Sequence, residues 1–131
     1  MTLTDDVAYL LLESNDPSGP HWSDESFLGQ LHETGRWNIE RYWEFEAALY
    51  TLMPLKCNTR KKNANATIVR VFSYSMLMFT CHHNPDDKFT FEDLSNESLH
   101  EWQARLQAVV EGYFQELLPS PSSFESDNPL L

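Results

Sequence analysis

Leu99, Trp102, Leu106, Val109, Val110, Tyr113, Phe114 and Leu117 keep helical spacing for about five turns, which fixes one long amphipathic helix before anything else is decided. Ser98 and Glu101 have the spacing of a capping box at its start, and Pro119 marks its stop. A helix with a single apolar stripe needs other elements to cover it, so the rest of the chain must supply a core.

The upstream segments offer more helices. Thr4–Glu13 reads as a short helix, with Thr4 as cap and Asp5 and Asp6 at its positive end; a strand over Val7–Leu12 is the alternative. Asn15–Pro20 is a loop by composition. Ser23 is placed to cap a helix over Asp24–Thr34, with Gly35 as the residue that ends it. Asn38 caps the next, Ile39 to about Met53, whose stripe is Ile39, Tyr42, Trp43, Ala47 and Tyr50; Pro54 ends it. Cys57–Asn65 reads as a basic, Asn-rich loop.

Ala66–His83 is almost continuously apolar from Val69 to Phe79. A helix gathers Thr67, Arg70, Ser73 and Thr80 into a rough polar stripe, and the segment is long for a strand. The favoured reading is a buried central helix stopped by Asn84-Pro85; the alternative is a buried strand and an α+β fold. Phe89 and Phe91 alternate around Thr90, as a short strand or an anchored loop would. Pro119–Leu131 is Ser/Pro-rich, yet it ends in Phe124 and Pro129-Leu130-Leu131, so part of this tail is expected to dock. The expected fold is therefore mainly α: one domain, 1–131, a bundle of four to five helices with 119–131 as a partly docked extended tail.

Length and charge bound what such a bundle can do. At 131 residues the chain is expected to fold to roughly 7,000 Å² of surface, enough for a real core without metal or disulfide staples. Aromatics make up 13% of it, which excludes global disorder. Twenty Asp+Glu against nine Lys+Arg give a net charge of -11, and that argues against nucleic acid and anionic membranes as partners. The distribution is uneven. Residues 1–35 have no Lys or Arg, most bases lie in 36–70, and 71–131 hold only Lys88 and Arg105. No apolar stretch approaches a transmembrane span and no secretory leader is evident. Cys57 and Cys81 form neither a CxxC nor a zinc spacing, so a reduced cytoplasmic compartment is expected.

Catalytic templates fail on inspection. There is no G-x-S-x-G and no phosphate loop. His100-Glu101 opens like a zinc-protease motif, but Ala104 stands where the second His is required. Cys81-His82-His83 with Asp86 and Asp87 is the one ligand-rich cluster. Adjacent His on a helix diverge by about 100°, so one packed and one exposed His is the plainer expectation. Lys56, Arg60, Lys61 and Lys62 form a basic patch without the interleaved aromatics of a nucleic-acid platform, read as a solvated loop balancing the acidic N-terminal third. Met76-Leu77-Met78 reads as core rather than as a binding groove. No cofactor or metal is called for.

Several short runs resemble one family. Tyr42-Trp43-Glu44-Phe45-Glu46, Phe72-Ser73-Tyr74-Ser75-Met76-Leu77-Met78, Cys81-His82-His83-Asn84-Pro85-Asp86-Asp87, Glu111-Gly112-Tyr113-Phe114 and the terminal Phe124–Leu131 are similar to immunity proteins of bacterial contact-dependent growth inhibition and polymorphic-toxin systems. The resemblance implies a small cytoplasmic, non-enzymatic antidote that binds the toxin domain of a delivered effector, often a nuclease with a basic cleft. It carries over no interface residues. The expected toxin contacts are instead acids flanking the core segments: Glu40, Glu44, Asp86, Asp87, Glu92 and Asp93. The acidic N-terminal third is the rival surface. The competing readings are a helical adaptor for another protein, and a hydrolase using Cys81, His82, His83 and Asp86.

Overall fold

Each helix begins where a side chain satisfies its unpaired amides. In the computed structural model, which describes residues 3–131, five α-helices follow one another. Helix α1 spans Asp5–Glu13 and is capped by Thr4, whose Oγ1 accepts from the Val7 amide at 3.2 Å. Helix α2 spans Phe27–Thr34, α3 Ile39–Leu52, α4 Thr59–His83 and α5 Asn96–Phe114, and a short 3-10 turn covers Pro121–Ser123. There is no strand among the described residues, so Val7–Leu12 and 66–83 are helical and Phe89–Phe91 is an anchored loop with Phe91 buried. The mainly helical expectation holds, and the total surface is 7499 Å².

Several boundaries differ from the sequence reading. Helix α2 begins at Phe27, not Asp24. Ser23 closes a turn by accepting from the Glu25 amide, and Ser26 is the cap, accepting from Gly29 N at 3.0 Å. Asn15 decides the matter from outside: its Oδ1 accepts from the Leu28 amide at 2.8 Å while its Nδ2 donates to the Leu11 carbonyl. One buried Asn thus joins the end of α1 to the start of α2. Gly35 ends α2 with φ 67, a left-handed conformation that glycine adopts without strain.

The largest correction concerns α3 and α4. The expected loop Cys57–Asn65 is mostly helix: Asn58 caps α4, accepting from Lys61 N at 2.8 Å, and α4 runs on for 25 residues. It is not the central helix. Its buried positions are Lys61, Ala64, Thr67, Ile68, Val71, Ser75 and Phe79, one stripe only. The central helix is α3, which packs against α1, α2 and α5 and buries Tyr42, Trp43, Phe45, Glu46, Ala47, Ala48, Leu49 and Leu52. Ile39, expected in the stripe, lies exposed at its start.

Helix α5 is capped by Ser95, not Ser98; Ser95 Oγ accepts from Ser98 N, so the expected capping box is absent. It ends at Phe114, before Pro119. There Leu117 N donates to Gly112 O and Glu116 N to Tyr113 O, a Schellman-type reversal with Glu116 at φ 59. A Cβ on Gly112 would stand 2.8 Å from the Leu117 carbonyl, so only glycine allows the chain to fold back this closely. Leu117, expected in the stripe, is left 76% exposed.

The core centres on Trp37 in the α2–α3 link. Its ring lies 4.9 Å from Phe27, 5.4 Å from Phe79, 5.5 Å from Tyr42, 6.0 Å from Trp102 and 6.1 Å from Phe91, centroid to centroid. These five contacts join α2, α3, α4, α5 and the 84–95 loop around one side chain. Most are tilted or edge-on, the arrangements that aromatic quadrupoles favour.

Candidate interaction surface

The six acids expected to meet a partner occupy two kinds of position. Glu40 is exposed in the first turn of α3. Glu44, one turn on, is half-buried and paired with Arg41 at 2.7 Å, which relieves its repulsion with Glu40. Asp86, Asp87, Glu92 and Asp93 all lie exposed on the loop between α4 and α5. Asp87 folds that loop by accepting from Phe89 N at 2.8 Å, and Asp93 anchors it by accepting from Trp37 N at 2.8 Å. The Asp93 bond brings the acidic loop against the link that leads into α3, next to Glu40. Glu40, Asp86, Asp87, Glu92 and Asp93 therefore share one end of the bundle, whereas Glu44 is already committed within it.

The Cys81-His82-His83 cluster is built into the loop anchor. His82 Nδ1 accepts from Phe91 N at 3.1 Å and Nε2 lies 3.2 Å from Asn96 Oδ1, a pairing that suits the neutral ring protonated at Nε2. Both nitrogens are thus spent holding Phe91 and the first residue of α5. His83 is exposed, with its ring at 88° to that of His82. Burial, with Asp87 beside it, pushes the Cys81 thiol pKa upward, away from the thiolate a nucleophile needs. Among the described residues no three of His, Cys, Asp and Glu are gathered as metal ligands.

The basic patch is divided between surface and interior, with Lys56 exposed at one end. Arg60 bridges α4 to α1 through Glu13 (3.0 Å) and Asp6 (3.0 Å) and stacks on Tyr9 at 4.5 Å. Those carboxylates raise its pKa further. Arg60 does balance the acidic N-terminal segment, but from a helix rather than a loop. Lys61 is buried, and its ammonium donates to the Met53 and Leu55 carbonyls that α3 leaves open at its end. Lys62 is exposed.

A polar network absent from the sequence reading fastens the tail. Arg105 of α5 donates to both oxygens of Glu46 of α3, at 2.7 and 2.9 Å, with both side chains buried. Its third bond goes to the Ser126 carbonyl at 2.6 Å, and Phe124 and Trp43 sandwich the guanidinium at 4.2 and 4.6 Å. Asn128, also buried, donates to Glu46 and to the Trp43 carbonyl, both at 3.0 Å. Tyr42 donates to Glu46 at 3.1 Å; burial and then the Glu46 charge push its pKa well above 10.0. Burial alone would lower the Arg105 pKa, but Glu46 outweighs it and the net direction is upward. The expected docking of the tail is thus observed, and its lock is a buried ion pair. The available signal was Arg105 itself, standing on the apolar face of α5 between Trp102 and Leu106.

One broad depression is open to solvent. It lies between the outer face of α4 and the Asp16–Trp22 loop, with a volume of about 980 Å³. Leu77, read from sequence as core, stands on this face with 54% of its surface exposed; Met76 and Met78 are half-buried on either side. No helix among the described residues is long and apolar enough to cross a membrane. No family model, curated protein or solved structure matches the chain.

Proposed function

We propose that this protein is a cytoplasmic immunity protein that neutralises the toxin domain of a contact-dependent growth inhibition effector by stoichiometric binding, without catalysis. The toxin is a basic protein, a nuclease in this reading. One observation carries the proposal: the fold gathers five exposed acids at one end of the bundle. Glu40, Asp86, Asp87, Glu92 and Asp93 stay exposed there and outnumber the exposed Arg36 and Lys88. That end of the molecule therefore carries an acidic field, in keeping with the net charge of -11. Such a field speeds capture of a basic protein, and rapid capture is what an antidote requires. The resemblance of the Tyr42–Glu46, Phe72–Met78 and Cys81–Asp87 runs to immunity proteins supports the same reading. The hydrolase alternative is weakened because His82, its natural base, has both ring nitrogens engaged.

The test is co-expression with a candidate toxin domain encoded beside the gene. Growth rescue together with one-to-one co-purification is expected. Co-purification without rescue would support an adaptor instead, and absence of both would sink the proposal.

A further inference from the structure

Helix α4 carries a second stripe, opposite its buried one. Val69, Arg70, Ser73, Tyr74 and Leu77 follow helical spacing along it, and Val69 and Leu77 keep 49% and 54% of their surface in water. A merely solvated helix face would be polar here. The Asp16–Trp22 loop forms the opposite wall of the groove. A second depression of about 450 Å³ continues toward α2 and shares Arg70 and Tyr74 with the first. Trp22 and Leu28 line this extension, and Tyr74 rests against His32 with ring centroids 5.8 Å apart.

The residue types are those of an interface centre. Tyr, Trp and Arg supply most of the energy in protein–protein contacts, and Tyr74, Trp22 and Arg70 meet in one channel. Arg70 has no carboxylate partner among the described residues, although acids outnumber bases 20 to 9. Asp16 and Glu33 stand at the rims. Gly35, which ends α2 two residues after Glu33, lies against Phe89 of the 84–95 loop.

We infer that this groove is the anchoring site for a basic protein partner, which inserts an apolar side chain over Val69, Tyr74 and Leu77. A Lys or Arg of the partner then meets Asp16 or Glu33, and a carboxylate of the partner meets Arg70. Charge selects this occupant over a second copy of the chain, since two surfaces of net charge -11 repel. The partner's identity as a toxin rests on the immunity reading above; the position of the anchor does not.

The probe is the candidate toxin domain of the co-expression test, titrated against the wild-type protein and single variants by surface plasmon resonance. Leu77→Asp and Tyr74→Ala are expected to weaken binding at least ~30-fold, chiefly by faster dissociation. Glu40→Lys and Glu92→Lys are expected to slow association less than ~10-fold and to leave dissociation alone. Leu77 is exposed, so an unchanged helical circular dichroism spectrum and melting temperature will separate lost contact from lost fold. If the wild type binds and Leu77→Asp binds equally well, the groove assignment is wrong and the immunity reading stands. If the wild type neither binds nor rescues, the toxin reading fails and the chosen occupant falls with it. A concentration-dependent dimer in sedimentation velocity that Leu77→Asp abolishes would make the occupant a second copy and overturn the proposal.

Discussion

Replacing Arg105 with Met tests the tail lock directly. The substitution keeps the aliphatic bulk between Trp43 and Phe124 but removes both bonds to Glu46 and the bond to the Ser126 carbonyl. Breaking a buried pair by deleting one partner costs about 3–5 kcal/mol, because the remaining charge stays desolvated. The Ser126 carbonyl loses its donor, about 1 kcal/mol more. Tyr42 and Asn128 still donate to Glu46 and offset part of this. The expected loss is about 4 kcal/mol, which for a chain of this length lowers Tm by more than ~10 °C. Glu46→Met strands Arg105 in the same way. The double variant Glu46→Met/Arg105→Met strands neither charge and should cost only about 3 kcal/mol, for the Tyr42, Asn128 and Ser126 bonds. Urea unfolding of all four proteins gives the coupling energy, expected to be at least ~2 kcal/mol. Additive single effects, within about 0.5 kcal/mol, would refute the claim that the pair acts as a unit.

Three further outcomes are expected. Trp37→Ala should lose about 3–5 kcal/mol in urea unfolding, since five aromatic rings lose their common neighbour; a loss under 1 kcal/mol would mean Trp37 is not the hub. Glu116→Gly should raise stability by about 0.5–1 kcal/mol, because Glu holds φ 59 where glycine rests without strain; a lower Tm would contradict the left-handed assignment. Glu101 faces Glu125 of the tail, which favours its protonated form and raises its pKa above the ordinary carboxylate value. A raised carboxyl pKa favours the folded state at low pH, and the benefit disappears as pH climbs through the raised value. Glu101→Gln should therefore raise Tm at pH 7 and lose that advantage as pH falls through the carboxylate range; an advantage that does not change with pH would rule out the carboxyl pair as its source.

What the sequence disclosed was local. Thr4 and Asn38 immediately precede their helices, and Gly35 follows its own, so caps and stripes could be read within a few residues. The start of α4 escaped because its buried positions are Lys61, Ala64 and Thr67, small or amphipathic side chains that leave no apolar signature. Lys, Arg and Ala are nevertheless good helix formers, and Asn58 supplies the cap. The choice of Ser26 over Ser23 depended on Asn15, 13 residues before Leu28. The tail lock joins residues 59, 82 and 85 positions apart, beyond any periodicity window. Leu77 was misplaced because a nearly continuous apolar run does not reveal which of its faces a neighbour will cover.

That last ambiguity bears on function. The apolar run of α4 divides between a stripe that closes the core and a stripe that faces water, while Glu40, Asp86, Asp87, Glu92 and Asp93 share one end of the bundle. In the proposed binding mode these surfaces act on different rate constants. Charges at Glu40, Asp86, Asp87 and Glu92 act across a Debye length of about 8 Å at physiological salt, so their effect belongs to association and fades as salt rises. Contacts at Val69, Tyr74 and Leu77 are short-ranged and indifferent to salt, so theirs belongs to dissociation. For the wild type with the toxin domain, raising salt from low to physiological and beyond should slow association steeply and leave dissociation nearly constant. Dissociation that quickened in step with salt would place the binding energy in ion pairs, returning the anchor to the acidic end and leaving the α4 groove without its role.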